Sequence, residues 1–90
     1  MPKIVAASIC FYSEDGKYPQ IICGERHCDC YEWMFNHQVK YDKNTIEEGF
    51  LTHQYQFVDR YEAKLMAYDW GQIDKDVYEE SSPLYSEDLW

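Results

Sequence analysis

The sequence predicts a small α+β domain of order β-β-α-β-α, with an antiparallel hairpin at the amino end and an extended carboxyl tail. Three observations carry this. Two runs of strand formers flank an Asp-Gly turn in the first 23 residues. Cys30, Trp33, Met34 and His37 recur at the helical i, i+3, i+4, i+7 spacing. A second helical stripe, Ala63, Met66, Ala67 and Trp70, sits between an acidic N-cap and a glycine.

Taken in order, Lys3 to Tyr12 is the first strand and Ser13-Glu14-Asp15-Gly16-Lys17 the turn. Tyr18 to Cys23 is the second strand, which places Cys10 and Cys23 on neighbouring strands as core thiols. Gly24 to His27 breaks the strand. A helix is expected from His27 to Gln38, then a polar connection from Lys40 to Glu47. Gly49 to Thr52 is a short strand, and His53 to Gln56 a turn. Phe57-Val58 leads into a helix over Arg60 to Trp70, with Asp59 as N-cap, Glu62 three residues on, and Gly71 as the left-handed C′ residue. The domain is expected over residues 1–78. Residues 79–90 form an acidic, aromatic tail: Glu79 to Pro83 reads as a solvated linker, and Leu84, Tyr85, Leu89 and Trp90 dock on the domain or on a neighbouring subunit.

Ninety residues make one domain with a modest core. Nine tyrosines, four phenylalanines and three tryptophans give that core large apolar areas to bury. A net charge of −9, with basic residues scattered, argues against nucleic acid. No run reaches the roughly 18–20 apolar residues of a membrane span, and the apolar start at Met1 to Cys10 is too short for a signal peptide. The expectation is therefore a cytoplasmic protein with four free thiols and no membrane partner.

No catalytic set is present, no cofactor is called for, and an enzyme is not expected. Arg26 and His27 precede one helix and Arg60 opens the other. Helix amino ends favour anions, so Arg26, His27, Arg60 and Gln72 are the candidate site for a small anionic ligand. An alternative is a metal site from Cys23, His27 and Cys30, whose residue types suit zinc although the spacing does not. Cys28 or Cys30 with His27 as a nucleophile pair lacks a third, orienting group. The acidic aromatic surface, tail included, is a second candidate, for a host protein.

Several stretches together resemble a group of small accessory proteins from tailed bacteriophages and prophages. They are Arg26-His27-Cys28-Asp29-Cys30, Glu48-Gly49-Phe50-Leu51-Thr52, Phe57-Val58-Asp59-Arg60 with Glu62-Ala63, Gly71-Gln72-Ile73, and Leu84-Tyr85-Ser86-Glu87-Asp88-Leu89-Trp90. The chain departs from that pattern in its many tyrosines and in Cys23 and Cys28. The resemblance implies a phage source, the host cytoplasm and an accessory role. It supplies no catalytic residues. Two functions follow: capture of a nucleotide-like ligand such as a host defence signal, or inhibition or modulation of a host protein. A homo-oligomer is compatible with either.

Overall fold

The computed structural model describes residues 3–14 and 19–89; the expected Asp15-Gly16 turn, Tyr18 and Trp90 lie outside the described residues. Strands β1 (Ile4–Tyr12), β2 (Pro19–Gly24), β3 (Glu47–Thr52) and β4 (Phe57–Asp59) form one antiparallel sheet of order β2-β1-β3-β4. The helices are α1 (His27–Asn36), α2 (Arg60–Asp69) and a short α3 (Lys75–Glu79). The connection through α1 carries the chain from β2 across β1 to β3, so β2 and β3 run parallel with β1 between them.

Period-two alternation decides which side of the sheet is covered. Ala7, Ile9 and Phe11 of β1 and Phe50 of β3 share one face and are fully buried. Helix α1 closes one half of that face, packing Cys30 and Met34 on Ile9 and Phe11. Helix α2 closes the other half, packing Ala63, Met66 and Ala67 on Ile4, Ala7, Phe50 and Val58. The two alanines let the helix approach the strands closely, as the sequence suggested. Leu84 reaches the same cluster and is fully buried, its amide donating to the Arg60 carbonyl at 3.2 Å.

Both long helices end in the same way. In α2, Gly71 at φ +74° follows the C-cap, with Gly71 N–H donating to Tyr68 and Gln72 N–H to Ala67. In α1, Gln38 takes the equivalent place at φ +51°, with Gln38 N–H on Phe35 and Val39 N–H on Met34. These are Schellman caps. Glycine announces only the first, so α1 stops at Asn36, short of the expected Gln38.

Three expectations change in detail. Phe57–Asp59 is a fourth strand, paired with Gly49–Leu51. The acidic stretch after Asp74 contains a helical turn capped by the Asp74 carboxylate, which accepts from Val77 N–H at 3.0 Å. Cys23 faces outward, away from the helices, and is exposed; the buried thiol is Cys30.

Candidate binding site

Gly49 is where the two helix starts meet. His27, the first residue of α1, places Nε2 2.7 Å from the Gly49 carbonyl and its ring edge-on to Phe50. A carbonyl only accepts, so Nε2 carries the proton and donates. Nδ1 then faces Glu48 Oε1 at 4.0 Å. On the other side Gly49 pairs with Asp59, the residue before Arg60. Only glycine fits here: a Cβ would lie 2.3 Å from the Val58 carbonyl oxygen and 2.5 Å from the Phe57 ring.

His27 and Arg60 are thus brought to one end of β3, and Arg26 adjoins them as the N-cap of α1. Gln72 is not. It follows α2, a helix about 15 Å long, and its amide is bonded at both ends to the peptide of Ile4. The cleft beside Arg60 is lined by Ile46, Glu47, Glu48, Asp59, Arg60 and Tyr61 and has a volume of about 450 Å3. Its charge is mainly negative. The amide groups that open α2 are already occupied, since Asp59 Oδ1 accepts from Tyr61 and Glu62 N–H at 3.0 and 2.7 Å. The Arg60 guanidinium lies over the Tyr85 ring, 5.6 Å from its centre.

The thiol alternatives separate in space. Cys23 Sγ lies 3.3 Å from Ser8 Oγ on the outer side of the sheet, whereas Cys30 Sγ lies beneath α1 against the Ala7 and Ile22 carbonyls. Among the described residues no group of three or more His, Cys, Asp or Glu is arranged to hold a metal ion. Cys23, His27 and Cys30 therefore do not form the metal set the residue types suggested, because Cys23 points to the outer side of the sheet while His27 and Cys30 lie on the helical side. Burial, reinforced by Cys23, Asp29 and Cys28, pushes the Cys30 thiol up to about 11, which keeps it protonated and unreactive at neutral pH.

Two features were missed in the sequence. Lys64 sits in the buried stripe of α2, and its Nζ donates to the carbonyls of Glu80 and Ser82, both at 2.6 Å. Its spacing with Ala63 and Ala67 could have shown that it faces inward. The second is the outer face of α2. Tyr61, Leu65 and Tyr68 recur at i, i+4, i+7, and their exposures are 66%, 42% and 39%. An outward stripe at helical spacing is visible in the sequence once the inward one is assigned. Glu62 and Asp69 flank it. Tyr68 stacks on Tyr78 of α3 at 4.3 Å. Residues 59–90 hold nine of the 17 acidic and three of the eight basic residues, hence six of the nine net negative charges.

A further cleft of about 500 Å3 lies at the end of α1, lined by Tyr31, Met34, Phe35, Gln38, Val39 and Tyr41. Tyr31 closes one side and donates its hydroxyl to Glu48 at 3.2 Å. Among the described residues, no helix is long and apolar enough to cross a membrane.

A family model described as Phage T4 y16D protein matches residues 3–90. No curated protein and no solved structure matches the chain.

Proposed function

Since the chain belongs to the phage T4 y16D protein family, we propose that it serves the phage as a non-enzymatic accessory protein that binds and modulates a host protein. The binding surface is the outer face of α2 with the acidic segment that follows. One observation carries this reading: Tyr61, Leu65 and Tyr68 form an outward apolar stripe inside the most acidic third of the molecule. Tyrosine suits such a surface, because it buries a large ring at small entropic cost and keeps a hydroxyl for the wet rim. Carboxylates around it favour a basic partner and speed its approach.

The other expectation, a nucleotide-like anion held by Arg26, His27, Arg60 and Gln72, finds less support. The Asp59 carboxylate sits where an anion would meet the start of α2. Glu47, Glu48 and Asp59 share the cleft with the lone Arg60. Each like charge about 6 Å from a bound anion costs roughly 3 kcal/mol at an effective dielectric of 20, more than one arginine offsets.

The test is affinity capture from a host lysate with wild-type protein and with the Tyr61→Ala/Leu65→Lys double variant. Both positions are exposed, so a thermal melt checks that folding is kept. A host protein recovered in stoichiometric amount by the wild type and lost with the variant supports the reading. Equal recovery by both, or no host protein with either, contradicts it.

A further inference from the structure

All three helices and the buried Leu84 lie on one side of the sheet, and among the described residues no helix covers the other side. Its outward positions come from three strands: Val5 at the β1 bulge, Tyr12 of β1, and Ile21 and Cys23 of β2 are exposed, while Cys10 of β1 and Leu51 of β3 are half-buried. Val5, Tyr12 and Ile21 are 43%, 40% and 47% exposed. Phe57 from β4 lies across Gly49 and covers only the middle of this side. We propose that this outer sheet face is a homodimer interface, which a second copy covers face to face to give an α/β/β/α stack.

Charge selects the occupant. None of those six side chains is charged, although the chain carries −9; Glu47 stands opposite Cys10 and Asp59 opposite Gly49, where β3 and β4 bound the sheet. A charged partner would bury its own charges here without compensation. A second copy brings the same uncharged face, and two-fold symmetry makes the patch complementary to itself. The acidic helical layers then lie outside two sheets packed about 10 Å apart. Their separation exceeds the Debye length of about 8 Å at physiological salt, so their repulsion is screened.

Area sets the strength. Three strands about 20 Å long and the three-residue β4, about 10 Å long, spaced about 4.8 Å apart, present roughly 340 Å2 in projection, or about 700 Å2 for two copies. That is below the roughly 1,200 Å2 of a stable specific interface and in the range of weak, transient association. The dimer is therefore weak and concentration-dependent. The surface lies opposite the outer face of α2, so it stands or falls independently of host binding.

Sedimentation of the full chain across the micromolar to millimolar range decides the matter. The expected result is a shift from monomer to dimer mass with concentration. Ile21→Lys and, separately, Val5→Lys should each hold the protein monomeric throughout, while Phe35→Lys, on the helical side, leaves the shift unchanged. A wild type that stays at 10.9 kDa across the range overturns the proposal. So does a dimer indifferent to both sheet-face substitutions, or one abolished by Phe35→Lys. If a lysine variant unfolds, the wild-type series still decides whether a dimer exists. The face is then decided by slower alkylation of Cys23, in a Cys28→Ser background, at dimer-forming concentrations. Alkylation at an unchanged rate overturns the assignment.

Discussion

The side-chain amide of Gln72 pairs with both peptide groups of Ile4, accepting from its N–H at 3.0 Å and donating to its carbonyl at 2.9 Å. A residue 68 positions away thereby supplies what a neighbouring strand would give the start of β1. Gln72 is placed by the glycine before it, whose left-handed conformation turns the chain back along the sheet. The motif Gly71-Gln72-Ile73 is thus a fastening: Gly71 turns, Gln72 pairs, and Ile73 enters the core. Gln72→Ala leaves two part-buried backbone groups without partners. Each costs about 1–3 kcal/mol, so a loss of about 2–6 kcal/mol is expected in urea unfolding.

The Lys64 ammonium holds the chain after α3 by the Glu80 and Ser82 carbonyls. Hydrogen bonds from a charged donor contribute about 1.5–3 kcal/mol each. Lys64→Met keeps the stem but removes the donor, and should lower stability by about 3–6 kcal/mol. Limited proteolysis should then cut first within residues 79–83.

Glycine positions should separate sharply. Gly49→Ala sets a methyl group against the Val58 backbone, which cannot yield, and is expected to cost about 3 kcal/mol or more. Gly71→Ala meets nothing within 4 Å and should lose only the about 1–2 kcal/mol of a left-handed non-glycine residue. Gln38 already bears that cost at φ +51°. Gln38→Gly should therefore stabilise the protein by about 1 kcal/mol, read as a higher urea midpoint.

Alkaline pH should weaken the fold. Burial raises the Cys30 thiol from 9.0 to about 11 and, with Glu48 beside it, the Tyr31 hydroxyl from 10.0 to about 12. Between these limits the unfolded chain has released protons that the folded chain keeps. It binds fewer protons, so stability falls as pH rises. The contribution is whole below pH 9 and lost progressively towards pH 12. Urea midpoints measured from pH 8 to 11 should decline, and Cys30→Ala should flatten the slope between 9 and 11.

Much of the fold was legible because local chemistry and tertiary structure agree. Strand β1, helix α2, its Asp59 cap and Gly71 all stand where the residues indicated. Strand β4 was missed because three residues carry no readable alternation; its pairing with β3 comes from the hairpin at Thr52, whose hydroxyl accepts from Gln54 and Gln56 N–H. The end of α1 was misplaced because Gln38 adopts a conformation its residue type does not advertise. The site was less legible. That His27 and Arg60 share an end of β3 depends on the crossover through α1 and on Asp59 pairing with Gly49, both long-range facts. That the same cleft is acidic depends on Glu47 and Glu48 arriving from the connection before β3.

Host binding through the outer face of α2 makes Leu65 an energetic centre of the complex. Its most direct test is calorimetric titration of the captured host protein with wild type and with Leu65→Lys, at low and at high salt. At least a tenfold weaker Kd is expected for the variant, about 1.4 kcal/mol, with weaker wild-type binding as salt rises. Equal affinity for both proteins, unchanged by salt, would contradict it.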